Sequence, residues 1–170
     1  MTSPFRLEAL GRAHDRSVFS CGEAALDRYF QTQVTQDIRR RIANCFVAVA
    51  QDGGTIAGFY TIAAAGLPFQ DLPAAESRRL PRYPTLPAVR IGRLAVDRRY
   101  QGQGIGGALL ADAARRVMQA PPAVFTLLVD AKNEAAVRFY ERHGFQRLAS
   151  APMTLFLPLA TAEKVLLGLY

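Results

Sequence analysis

A chain of 170 residues, half of them apolar, is long enough for one domain that buries about two thirds of its extended surface. No apolar run reaches the ~18 residues needed to cross a bilayer, the segment Met1 to Glu8 lacks the apolar stretch of a signal peptide, and two cysteines with two histidines elsewhere offer no zinc spacing, so a cytoplasmic chain with reduced thiols and no metal is expected. The net charge of +7, carried by 19 arginines and 2 lysines, favours a polyanionic partner: a nucleic acid, a phosphorylated cofactor or an acidic protein.

Phe5 to Leu10 alternates apolar and polar and predicts a first strand. Cys21-Gly-Glu begins a helix with Ala25, Leu26, Tyr29 and Phe30 on one face. A second helix over Gln31 to Ala43 carries Val34, Ile38 and Ile42 on its apolar stripe and Arg39, Arg40 and Arg41 on its other face. Cys45 to Ala50 reads as a buried strand, Gln51-Asp-Gly-Gly as a hairpin turn, and Thr55 to Ala65 as a longer strand with a bend at Gly58 or beyond Ala63. Leu67 to Pro87 holds five prolines and cannot be one long regular element. Glu76 to Leu80 has room for a helical turn there, and Arg78, Arg79 and Arg82 make the stretch basic. A strand over Ala88 to Val96 and a helix over Gly104 to Gln119 follow, the helix stopped by Pro121-Pro122. Val124 to Val129 has the continuous apolar run of a central parallel strand. A helix over Glu134 to Arg142, a strand entered at Gly144 to Arg147, and another over Met153 to Leu157 complete the pattern. A terminal helix over Thr161 to Leu169 is expected to pack through Val165, Leu166 and Leu169. Strands mixed with helices, without repeats or linkers, predict a single α/β or α+β domain over residues 1–170.

The run from Arg90 to Leu110 carries the chemistry. Ile91, Leu94, Ala95 and Val96 make a short apolar strand, and Asp97 to Tyr100 a polar turn. Gln101, Gly102, Gln103, Gly104, Ile105, Gly106 and Gly107 then form a loop with little side-chain bulk ahead of a helix. Backbone N–H groups of such a loop, with the unpaired donors and partial positive charge of the helix start, cradle an anion such as pyrophosphate. A P-loop would need Lys and Ser or Thr after the second Gly, where Gly107-Ala108 stands. Gly102, Gly104 and Gly107 meet the dinucleotide spacing, but a unit starting near residue 90 of 170 leaves too little chain for a dinucleotide domain.

The spacing Gln-x-x-Gly-x-Gly at Gln101, Gly104 and Gly106, preceded by Arg-Leu-Ala-Val-Asp, resembles motif A of the GNAT acetyltransferase superfamily. Asn133-Glu-Ala-Ala-Val-Arg-Phe-Tyr-Glu-Arg-His-Gly-Phe145 is similar to the family's second signature, and the likeness spans residues 44–159. The resemblance implies a mixed central sheet of six to seven strands flanked by helices, with two parallel strands splayed apart and acetyl-CoA between them. Main chain at Leu94, Ala95 and Val96 would bond the pantetheine, one N–H polarising the thioester carbonyl. The N–H groups of Gln101, Gly102, Gln103, Gly104, Ile105 and Gly106 would hold the pyrophosphate, with Arg98 and Arg99 in reach of the 3′-phosphate. Tyr140 would protonate the leaving thiolate, and Asn133 would bond the cofactor or cap its helix. No general base is evident. His143 reads as a surface residue, and an amine less basic than Lys, such as the α-amine of an aminoacyl ester, needs none.

A narrower resemblance concerns the acceptor. Phe19-Ser-Cys-Gly-Glu-Ala-Ala-Leu-Asp-Arg-Tyr-Phe, the Arg-rich helix after it and Gly92-Arg-Leu-Ala-Val-Asp are similar to the TacT-type toxins of bacterial toxin–antitoxin pairs. Those acetylate the amino group of aminoacyl-tRNA and block translation. They pair with a ribbon-helix-helix antitoxin and are often homodimers. The resemblance implies tRNA phosphates on Arg39 to Arg41 and on Arg78, Arg79 and Arg82. Two alternatives stay open: a metabolic or protein N-acetyltransferase for a small amine or peptide N-terminus, and a non-catalytic acyl-CoA-binding module.

Overall fold

In the computed structural model, which describes residues 3–51 and 53–168, the strands are β1 (Phe5–Ala9), β2 (Asn44–Ala50), β3 (Ile56–Pro68), β4 (Thr85–Val96), β5 (Thr126–Asp130), β6 (Gln146–Arg147) and β7 (Thr154–Pro158). The helices are α1 (Ala24–Arg28), α2 (Val34–Arg39), α3 (Ala74–Ser77), α4 (Ile105–Gln119), α5 (Glu134–Arg142) and α6 (Leu159–Val165). Asp52 of the expected hairpin turn and Leu169 of the expected terminal helix lie outside the described residues. Hydrogen bonding orders one mixed sheet as β1-β2-β3-β4-β5-β7-β6, with β4 and β5 parallel and the β1–β2, β2–β3, β5–β7 and β6–β7 ladders antiparallel. No helix among the described residues is long and apolar enough to cross a membrane.

The chain divides into two compact units, Met1–Ala63 with Gly92–Ala113, and Ala64–Ile91 with Ala114–Tyr170. In the first, β1 pairs with β2 and β2 with β3. The register slips where Ala48 faces Gly58 and Val49 faces Ile56, so the extra residue is Ala57 of β3, beside Gly58, where a bend was expected. The two expected N-terminal helices form one helical run. A π turn over Tyr29–Gln33 joins α1 to α2, and the Val34 N–H reaches back five residues to the Tyr29 carbonyl. Packing explains this insertion. Tyr29, Phe30 and Val34 are all buried, and Phe30 stacks on Phe59 at 4.2 Å and 10° while Phe19 meets both rings edge-on. The run stops at Arg39, short of the expected Ala43. There the Ile42 N–H bonds the Asp37 carbonyl at 2.9 Å and the Arg41 N–H bonds Ile38 at 3.1 Å. This is a Schellman closure, and Arg41 stands at φ 58°, where glycine is usual.

In the second unit, β5 lies between β4 and β7. Its parallel ladder with β4 covers Ala88–Ile91 against Thr126–Val129. The continuous apolar run of β5 is buried from Thr126 to Val129, as a central strand requires. The irregular stretch is shorter than expected, because β3 continues to Pro68 and β4 already starts at Thr85. Pro87 is tolerated within β4: the neighbouring strand segment asks only for its carbonyl, which accepts from the Phe125 N–H at 2.9 Å. Between them, Leu72 and Leu80 anchor the basic loop on a core of Leu67, Leu86, Leu128, Leu148 and Phe156. The helical turn there is α3, at Ala74–Ser77 rather than from Glu76 on. The terminal helix begins at Leu159, two residues earlier than expected.

Candidate active site

In the first unit the glycine run opens α4 as expected. The first bond of the helix goes from the Ala108 N–H to the Gly104 carbonyl at 3.1 Å, so the N–H groups of Ile105, Gly106 and Gly107 lie ahead of it. Gly102 and Gly104 stand at φ 81° and 80°, a conformation that disfavours any side chain, and the space beside each is open. Residues 101–104 are exposed, Ile105 is buried beneath them, and no carboxylate occurs between Gln101 and Gly107. An N–H-rich, exposed turn without acid is a fit for pyrophosphate.

Main chain distant in sequence holds that turn. Buried Asp97 accepts from the N–H of Ser20 (3.0 Å), the N–H of Arg99 (2.9 Å), and the Arg99 guanidinium through Nε (2.9 Å) and Nη2 (3.1 Å). Burial opposes its ionisation, but these bonds outweigh burial and hold the carboxyl below its ordinary range. The Arg98 N–H donates to the Ser20 carbonyl at 2.8 Å. Gln101 donates through Nε2 to the carbonyls of Cys21 and Val96, each at 3.0 Å. The segment Ser20–Gly22 therefore clasps the start of the cradle, a role no local pattern announces. Arg99 is committed to this clasp. Both arginines are exposed, but Arg98, beside Gly22, makes no ion pair among the described residues. Deeper, Tyr60 of β3 donates to Asp112 of α4 at 2.6 Å, both buried, and so ties the helix to the sheet.

The last turn of β4 has a defined polarity. Asp97 directs its N–H to the Ala57 carbonyl at 2.8 Å, and Arg93 directs its own to Thr61 Oγ1 at 3.1 Å. Successive strand residues alternate, so Ala95 faces β3 too, while Leu94 and Val96 present their main chain to the opposite edge. A Cβ at Gly58 would stand 3.0 Å from the Ala95 oxygen, which shows how tightly the two strands lie there. The Val96 carbonyl is taken by Gln101, leaving that residue its N–H.

In the second unit, Asn133 caps α5, its Oδ1 accepting from the Ala136 N–H at 2.8 Å, and the helix has the predicted limits. Tyr140 lies on the inner side of this helix, 9% exposed, edge-on to Phe139 and Phe145. Burial first, and then the negative charge of Asp130, push its phenol up to about 12. Asp130 ends β5, where it accepts from Arg90 (2.6 Å) and Thr154 (2.8 Å). The histidines are engaged locally: His14 with Glu8 and the Gly11 N–H, His143 with the Phe139 carbonyl. Cys21 and Cys45 form no disulfide, and no group of three metal-ligating side chains occurs among the described residues.

Known proteins agree with this architecture. The model of the acetyltransferase (GNAT) family matches residues 12–145. A probable toxin TacT of Sinorhizobium fredii (strain NBRC 101917 / NGR234) is 34% identical over 162 residues, 90% of either chain. A tRNA-acetylating toxin of Mycobacterium tuberculosis (strain ATCC 25618 / H37Rv) is 32% identical over 156 residues, 91% of this chain and 92% of its own. AtaT complexed with acetyl-methionyl-tRNAfMet superposes with a TM-score of 0.85 at 31% identity, covering 94% of this chain and 97% of AtaT. AtaTR bound with acetyl-CoA gives 0.79 at 31% identity, with 94% and 96% covered. A mutant AtaT bound to the C-terminus of the antitoxin AtaR gives 0.80 at 29% identity, with 95% and 97% covered.

Proposed function

The chain belongs to the GNAT family of acetyltransferases, and we propose that this member moves the acetyl group of acetyl-CoA to the α-amino group of an aminoacyl-tRNA, acting in the cytoplasm as a toxin that inhibits translation. The carrying observation for the donor is the acid-free turn at Gly102 and Gly104, tied to the end of β4 and to the Ser20–Gly22 segment by Asp97 and Gln101. For the acceptor, support comes from the likeness to a tRNA-acetylating toxin over nine tenths of the chain, together with the net charge of +7.

The N–H groups of Gln101, Gly102, Gln103, Gly104, Ile105 and Gly106 would hold the pyrophosphate. When bound, acetyl-CoA supplies a thioester carbon open to amine attack and a thiol that leaves. Leu94 and Val96 would offer main-chain groups beside it, one N–H polarising its carbonyl, while Ala95 packs the strand from the β3 side. Asn133 starts α5 and sets the position of Tyr140 seven residues on. The Tyr140 phenol, raised to about 12, keeps its proton at neutral pH; an ordinary thiol near 8.5 lies so far below that outright transfer would be uphill by about 5 kcal/mol. Tyr140 therefore donates a hydrogen bond to the departing sulfur, and the proton shed by the amine completes the exchange. Much of the rate comes from holding amine and thioester together.

Arg39 to Arg41 at the end of α2, and Arg78, Arg79 and Arg82 in the loop before β4, are exposed and would take tRNA phosphates. A ribbon-helix-helix antitoxin and a homodimeric state complete the proposal; the structure of a mutant AtaT with the C-terminus of its antitoxin supports an antitoxin partner. Incubation with labelled acetyl-CoA and charged total tRNA should label the RNA. Tyr140→Phe should lower that rate about 10²–10⁴-fold with acetyl-CoA binding retained. Labelling of free amines or peptides with charged tRNA left unmodified would replace this proposal by the small-amine or peptide alternative.

A further inference from the structure

Arg93 is held as few exposed arginines are. Its N–H sits on the Thr61 hydroxyl, and its guanidinium lies over the Tyr29 ring, Cζ 3.7 Å from the centroid. Tyr29 is buried at the head of the π turn, and its hydroxyl donates to Asp37 of α2 at 2.8 Å. β4, the π turn and α2 thus combine to present one cation. Arg90 rests on Asp130, Arg99 on Asp97 and Arg147 on Glu134, while Arg16 spends its guanidinium on the Phe30 carbonyl. Arg93 makes no salt bridge among the described residues and is exposed, so its fork of N–H donors is available to a ligand. It also stands next to Leu94, whose main chain faces the edge of β4 assigned above to the thioester. A rigid, uncompensated guanidinium beside the reacting edge is suited to an anion on the acceptor.

We propose that Arg93 binds a backbone phosphate of the RNA acceptor and so sets the aminoacyl end against the Leu94–Val96 edge. This rests on the aminoacyl-tRNA reading above. Arg93 is exposed, so Arg93→Gln and Arg93→Lys keep the core intact. Steady-state kinetics would compare charged tRNA with an amino acid methyl ester, an acceptor that has the α-amine and no phosphate. Arg93→Gln should raise KM for charged tRNA about 10-fold. It should also reduce the slope of log KM against log salt by about 1, while the methyl ester and the KM for acetyl-CoA stay as in the wild type. Arg93→Lys should restore the slope and part of the affinity. Parallel loss with the methyl ester, or an unchanged salt slope in Arg93→Gln, overturns the proposal. A wild-type enzyme that leaves charged tRNA unmodified sinks the aminoacyl-tRNA reading itself and this inference with it, an outcome visible before any variant is tested.

Discussion

Asp97→Asn perturbs the strut of the glycine turn with almost no change in shape. The carboxylate takes four hydrogen bonds, from Ser20 and Arg99 main chain and twice from the Arg99 guanidinium. An amide has one oxygen, so whichever way it turns, two of the four donors face an NH2 group. One of those two is always a part-buried main-chain N–H, and leaving it unpaired costs about 1–3 kcal/mol at most. The lost charge pairing with Arg99 adds less than about 1 kcal/mol, because that guanidinium is half exposed. The sum, about 1–4 kcal/mol, lowers Tm by about 3–12 °C in a domain of this size. Circular dichroism melts at pH 7 read the stability, and the KM for acetyl-CoA should rise with the loosened turn. The pH dependence carries a sign. A carboxyl held below its ordinary value contributes above the unfolded pKa of about 3.9, and the contribution is lost as pH falls through the lower folded value. The Tm gap between wild type and variant should therefore close in acid. A gap under about 2 °C at pH 7, or one that persists undiminished to the acid limit, would refute the role given to the carboxylate. A lowered Tm with unchanged KM would separate the strut from donor binding.

Gly58→Ala places a methyl 3.0 Å from the Ala95 oxygen and 3.1 Å from Leu109, and main chain cannot step aside. It should cost about 1–3 kcal/mol in urea unfolding, and a neutral result would show that β3 and β4 are not in such close contact. Cys45 is buried, and burial pushes its thiol up to about 12, so the stability it protects is whole below the unfolded value near 9 and falls as pH rises toward 12. Unfolding curves of Cys45→Ala should decline less steeply than wild type from pH 9 to 11; parallel curves would count against it. Arg41→Gly relieves a left-handed side chain in the Schellman closure and should add about 0.5–1 kcal/mol, read as a small rise in Tm. If the exposed arginines at the end of α2 hold RNA, the same variant should weaken binding of charged tRNA, and a rise in both quantities would exclude that role.

The features legible in the sequence are those whose cause is local. Gly102 and Gly104 needed positive φ and a helix start after them, and the spacing alone displayed both. Asn133 capped a helix whose limits, Glu134 to Arg142, followed from one cap and one apolar stripe. β5 announced itself because a strand buried on both faces has no polar alternation. Family resemblance suggested Tyr140 and carried the donor, and the match to the acetyltransferase family agrees with the donor.

What only the tertiary structure decided depends on partners far apart in the chain. Ser20 reaches Asp97 across 77 residues and Gln101 reaches Cys21 across 80, bonds to main chain that leave no trace in either local sequence. The π turn at Tyr29 has no periodicity of its own; the packing of Phe30 on Phe59 imposes it. Arg99, one of two adjacent arginines of equal promise for phosphate, went to Asp97, and the direction of the β4 backbone separated Ala95 from Leu94 and Val96. Residue type and spacing determined which groups were present and the turns they could make. Which of them remained available to a ligand was settled by burial and long-range hydrogen bonding, since a donor already satisfied inside the protein has little left for anything else.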